Sequence, residues 1–163
     1  MSRSLKLILA AVLFAGTGAL TELLAGAPLT KTFLGVAPAV LPFAILAAIL
    51  CVRPVVRMPL VVILICAVWA GAFWLAVALD RGDSYLNMFA AGLVGGLGVA
   101  VATSIGCRRL IHIRPLCLLA VAGALAAAPF RWRLLPQDDA AMICAFAIWQ
   151  VAVGTLLYAL SER

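Results

Sequence analysis

Charge is scarce in this chain, and where it is missing says most about it. No Asp, Glu, Lys, Arg or His occurs in Thr32–Val52, Met58–Leu79, Ser84–Cys107, Pro115–Phe130 or Ala140–Ser161. A water-soluble domain carries about a quarter of its residues as charges, and this chain carries 11%. Histidine occurs once and acidic residues six times. That leaves little for general acid–base work or an activated nucleophile. There is no H-E-x-x-H, no G-x-S-x-G and no phosphate-cradling glycine loop. A lone histidine gives no basis for a haem site. The five cysteines, Cys51, Cys66, Cys107, Cys117 and Cys144, form no C-x-x-C pair. They read as small apolar residues rather than metal ligands. The expectation is a chain with no enzymatic activity, no cofactor and no metal.

What is abundant is apolar surface. Of 163 residues 67% are hydrophobic, and the mean hydropathy is +1.23. A spanning helix needs roughly 20 apolar residues. The five uncharged stretches and Leu7–Ala27, whose only charge is Glu22, make six such segments. In lipid each backbone polar group must bond within its own helix. The fold expected is therefore all-α: a polytopic bundle of about six transmembrane helices with short loops, residues 1–163 forming one transmembrane domain. The lipid bilayer is its expected environment, the bacterial inner membrane its expected site.

A net charge of +6 raises nucleic acid as a partner. The distribution argues against it, because the basic residues sort by loop instead of forming a stripe. With the N-terminus inside, Arg3, Lys6, Arg53, Arg57, Arg108, Arg109, Arg114 and Arg163 face the cytoplasm, and Lys31, Arg81, Arg131 and Arg133 face out. Eight against four puts both termini in the cytoplasm. The first span is read as retained. Its apolar run is long for a signal peptide, and Pro28 follows the A-x-A-like Ala25-Gly26-Ala27.

Helix boundaries follow from prolines and apolar runs. The helices are expected at about Leu5–Ala27, Phe33–Val52, Pro59–Leu79, Tyr85–Gly106, Pro115–Phe130 and Ala140–Leu160. Pro38 and Pro42 should kink or unwind the outer half of the second, since each removes an N–H donor. Trp74, Tyr85, Trp132 and Tyr158 fall at interfacial depth, whereas Trp69 and Trp149 lie too deep and read as packing residues. Gly92 and Gly96 form one small-x-x-x-small face on the fourth helix. Gly98, Ala102 and Gly106 form another. Such faces let helices approach closely, so the fourth helix is expected to be central.

The candidate site lies at mid-depth. Gly16, Thr17 and Gly18, then Pro42, Gly95, Gly96 and Gln150, all fall near their helix midpoints. Small-solute transporters place substrate at the midplane beside interrupted helices. Gln150 and Thr17 are thus expected to bind substrate, with Glu22, the one ionisable residue inside a span, near the outer mouth. Gln150 has a structural alternative, an interhelical hydrogen bond to a carbonyl or to Thr17. Glu22 has another: it lies near a helix end, where it reaches water or a basic loop residue. The leading functional expectation is a small permease or channel-like transporter for an uncharged or weakly charged solute. A non-catalytic accessory subunit of a membrane complex is the alternative, with a homo-oligomer or another membrane protein as partner.

Overall fold

Runs of Ala, Leu, Ile and Val with no interior charge propagate helix, and prolines and polar turns punctuate it. The computed structural model describes residues 2–25, 39–79, 86–128 and 139–162, with side chains at all of these except 22–25, 139–143 and 145. Six α-helices account for nearly all of them: α1 Arg3–Ala25, α2 Leu41–Cys51, α3 Met58–Ala78, α4 Leu86–Ser104, α5 Ile113–Ala126 and α6 Asp139–Ser161. Among the described residues there is no strand.

The prolines act mainly as helix openers. Pro42 and Pro59 stand in the first turns of α2 and α3, where a missing N–H costs nothing. Most of the outer half of the expected second helix, which Pro38 and Pro42 should kink or unwind, lies outside the described residues. Among the described residues, Pro42 stands in the first turn of a helix that starts at Leu41, one turn residue after the helical Ala39. At its other end α2 is closed by Arg53, whose Nη1 donates to the carbonyls of Ile49 and Val52 at 3.3 and 2.9 Å. A cation there complements the exposed carbonyls of a helix C-terminus.

Length separates the helices into two groups. Arg3–Thr21, Val55–Ala78 and Leu86–Ser104 are long and apolar enough to cross a membrane. Leu41–Cys51 and Ile113–Ala126 are 11 and 14 residues, or ~16 and ~21 Å at the helical rise. Both fall short of a hydrocarbon core about 30 Å thick. Six full-length spans were expected; three meet the requirement among the described residues, and Phe146–Ser161 is a further shorter apolar stretch.

The helices close into a ring in which α1 lies along α6, α6 against α5, α5 against α4, α4 against α3, α3 against α2 and α2 against α1. α2 also touches α6 and α4. Its Ala44, Ala47 and Ala48 are buried, and such small side chains admit neighbours on several sides. Among the described residues α2 thus borders α1, α3, α4 and α6. α4 is held between α3 and α5, each using one of its small faces. Gly92 and Gly96 lie against the backbone of Gly123 and Leu119 in α5, and Gly98 receives Val68 of α3. Ala102 is buried on the same helix, and Gly106 beyond its end receives Val52.

Basic residues gather at one end. Lys6 pairs with Glu162 at 3.4 Å. The Arg53 N–H donates to the Gly106 carbonyl at 3.1 Å, and Arg57 Nη1 to that of Ile105 at 2.6 Å. These bonds tie the α2–α3 connection to the α4–α5 connection, where Leu110 is fully buried in a 3-10 turn. Cys51, at the end of α2, neighbours Ser161, Cys107 and Glu162. The N-terminus, both connections and the end of α6 thus share one face of the bundle.

Candidate functional site

Residue spacing on α6 sets two different sites back to back. Successive helical residues are turned by about 100°, so Trp149 and Gln150 face different neighbours. Gln150 is fully buried and turns to α1. The Thr17 hydroxyl donates to Gln150 Oε1 at 2.6 Å, and Gln150 Nε2 donates to Thr21 Oγ1 at 2.7 Å. Each threonine is also within reach of its own helix: Thr17 Oγ1 lies 2.8 Å from the Phe14 carbonyl, and Thr21 Oγ1 donates to that of Thr17 at 2.9 Å. Buried polar groups are costly unless bonded, and here both ends of the amide are.

α1 and α6 come close enough for this because their contact is made of small residues. Gly18 lies on the backbone of Ala147, and Gly154 receives the ring of Phe14. Phe14 then begins a line of aromatic rings through the bundle. Its centroid is 5.4 Å from that of Phe43 on α2, which is 5.8 Å from Trp149, which is 5.3 Å from Trp69 on α3. Trp69 also meets Phe146 at 5.5 Å. These are tilted and edge-on pairs, the arrangement a ring quadrupole favours.

Beyond Trp149, on the side away from Gln150, lies a cleft of about 190 Å³. Trp69 and Phe73 of α3, Asn87, Ala91 and Gly95 of α4, and Phe146 and Trp149 of α6 line it. It forms because α3 and α6 approach through aromatic rings instead of backbone, and rings hold helices apart. Gly95 keeps it open on the α4 side, since a Cβ there would come within 3.1 Å of the Trp149 ring. The cleft runs from mid-depth, at Trp69, Gly95 and Trp149, to the first turn of α4. There Asn87 is buried, with its Oδ1 accepting the Met88 N–H at 2.8 Å. Among the described residues, no charged one lines it.

The structure thus joins Thr17 and Gln150, adds Thr21 to them, and sets the cleft beside the pair. Glu22 lies on α1, and its side chain is outside the described residues, as are Arg131, Trp132 and Arg133. Sequence reasoning passed over Asn87, Phe73 and Phe146. The signal was present: an amide in an uncharged helix, and aromatic pairs at 69/73 and 146/149, spaced to share a helix face. Among the described residues no group of three or more His, Cys, Asp or Glu is disposed to hold a metal.

The class this fold defines is an all-helical bundle with three helices apolar enough to enter a membrane. Comparisons with protein-family models, curated proteins and solved structures find no match to this chain.

Proposed function

We propose that this protein is a multi-pass protein of a bacterial inner membrane that acts, without catalysis, as a small permease for an uncharged solute. The observation that carries the reading is the cleft beside Trp149. It reaches mid-depth from one end, between three helices, and the described residues that line it carry no charge. Solute sites between bundle helices have this character, largely apolar with a few placed polar groups. The orientation follows from the basic end. Arg3, Lys6, Arg53, Arg57, Arg108, Arg109 and Arg114 gather there, and a positive end belongs in the cytoplasm. Both termini are then cytoplasmic and the cleft opens away from the cytoplasm. In this reading the solute occupies the cleft, while Thr17 and Gln150, first considered as its ligands, hold the cleft-bearing α6 to α1.

The accessory-subunit alternative draws on a different observation. Leu5, Ile8, Leu9, Val12 and Leu13 make an exposed apolar face on α1, where lipid or a second membrane protein fits. The glycine faces of α4 do not serve that purpose, being covered by α5 and α3.

Thiol labelling separates the two readings without a known solute. In a protein stripped of native cysteines, Ala72→Cys lies in the cleft wall at mid-depth. A permease exposes this position to a membrane-impermeant thiol reagent from either side, in right-side-out and in inverted vesicles. Labelling from one side only, or from neither, overturns permeation.

A further inference from the structure

Two kinds of side chain make up the basic end of the bundle. The Arg53 N–H bonds to Gly106 and the Arg57 guanidinium to Ile105, which lays the α2–α3 connection against the α4–α5 connection. Arg53 and Arg57 therefore stand beside the segment that continues into Arg108 and Arg109, with Arg114 in the first turn of α5. All five are exposed. Arg108, Arg109 and Arg114 have no side-chain partner among the described residues. Glu162 is the one acidic residue whose side chain is described, and Lys6 pairs with it. The first turns of α3 and α5 hold no acid. Cations gathered without carboxylates repel one another, and an anion among them relieves that. Between the arginines the same connections expose large aliphatic side chains. Val55 and Val56 follow Arg53, and Val56 is 81% exposed; Ile111 and Ile113 precede Arg114, and Ile113 is 76% exposed. Aliphatic side chains grouped in this way mark an interaction surface. A soluble polyanion would meet the arginines and leave the aliphatics in water. The boundary of a lipid leaflet suits both kinds, with the carbons in the acyl layer and the guanidinium groups at the phosphates. Val55 also begins a stretch long and apolar enough to cross a membrane, Val55–Ala78, which puts it at such a boundary.

We propose that the paired α2–α3 and α4–α5 connections bind the headgroup of an anionic phospholipid, with Arg57, Arg108 and Arg109 at its phosphate and Val56 and Ile113 against its acyl chains. Arginine suits the task because its planar fork meets phosphate oxygens two at a time. Arg57 keeps donors free, since only Nη1 is given to the Ile105 carbonyl. A zwitterionic headgroup is a poorer occupant, because its own cation comes among the arginines. The site does not depend on what the cleft does.

The test uses the full chain in uncharged detergent micelles, with phosphatidylglycerol and phosphatidylcholine of identical acyl chains as probes and bound lipid counted by native mass spectrometry. The wild type should retain phosphatidylglycerol saturably and more tightly than phosphatidylcholine. Arg108→Gln and Arg109→Gln should each weaken that binding about fivefold, the effect of one basic side chain at an anionic surface. Neither arginine holds another residue, so Tm without lipid should stay as in the wild type. Arg3→Gln removes the same charge from the same end but lies outside the two connections, and should leave binding unchanged. Glycerol 3-phosphate offers the phosphate without acyl chains and, even in excess, should not displace the lipid. The proposal is overturned by equal retention of the two lipids, or by Arg108→Gln and Arg109→Gln binding as the wild type does. An equal loss in Arg3→Gln overturns it too, since charge alone would then account for the binding. Displacement by glycerol 3-phosphate overturns it in favour of a soluble phosphate, and displacement by polyglutamate in favour of an acidic protein.

Discussion

Gln150 and Thr17, 133 residues apart in sequence, form a side-chain link between α1 and α6 at 2.6 Å. With Thr21 on the other end of the amide at 2.7 Å, α6 is held at two points one helical turn apart on α1. The cleft-lining Trp149 is its next neighbour, so this link marks the rotation of α6 that places one wall of the cleft.

Removing the amide should cost little, because both hydroxyls have somewhere to go. In Gln150→Leu, Thr17 and Thr21 keep the carbonyls of Phe14 and Thr17, and no buried donor is orphaned. Interhelical hydrogen bonds between membrane helices contribute about 0.6 kcal/mol each, so two amount to about 1 kcal/mol. In a chain of this size that lowers Tm by roughly 2–4 °C. A drop beyond 10 °C would mean that the amide carries the α1–α6 pairing. Lys6 and Glu162 span the same two helices at 3.4 Å with side chains 41% and 44% exposed, and a pair so open contributes still less. Glu162→Gln should leave Tm within the error of the measurement.

Glycine positions should divide sharply by what lies over them. At Gly96 a Cβ would run into the Leu119 carbonyl, which belongs to a helix backbone and cannot rotate away, whereas at Gly16 nothing lies within 4 Å. Gly96→Ala should therefore destabilise by about 1–3 kcal/mol, the usual cost of overpacking, and Gly96→Leu should prevent recovery of folded protein. Gly16→Leu should match the wild type in yield and Tm. Equal behaviour of the two leucine variants in a solubilised thermal assay would disprove the α4–α5 packing.

Phe14, the one aromatic residue of α1, should be sensitive to truncation. It is fully buried, lies on Gly154 and meets Phe43. Truncation to alanine leaves a cavity lined by residues of three helices, and such changes cost about 3–5 kcal/mol. Gly154→Leu, which would drive into the same ring, should be comparably damaging. Phe14→Leu should retain most of the stability. If Phe14→Ala unfolded within about 2 °C of the wild type, α1 would not be seated as described.

Reporter fusions read the orientation. A reporter active only in the cytoplasm, fused after Arg163, should be active. One active only in the periplasm should be silent there and active when fused within residues 80–85, between α3 and α4. The opposite pattern would reverse the bundle and turn the cleft towards the cytoplasm.

The all-helical class could be read from composition, because long uncharged runs of Ala, Leu, Ile and Val leave the backbone no partners but its own carbonyls. The small faces of α4 could be read as well, since Gly92, Gly96 and Gly98 have no other evident use in an apolar helix. Which helix each face meets could not be read, nor that α2 touches helices on several sides. Both depend on how the ring closes. The sequence placed Thr17 and Gln150 at one depth and left open whether they meet a solute or each other. Only the rotation of α6 about its axis, set by Gly18 on Ala147 and Phe14 on Gly154, turns Gln150 into α1 and Trp149 into the bundle. The cleft is a product of that choice. Trp69, Asn87 and Trp149 lie on three helices, and no local pattern brings them together. The sequence by itself determined an apolar helical chain with one basic end, since hydropathy and charge are sums over residues. The tertiary structure alone decided the pairing of Gln150 and the cleft beside it, because close packing of small residues fixes helix rotation, and a rotation of one residue exchanges the buried amide for the ring.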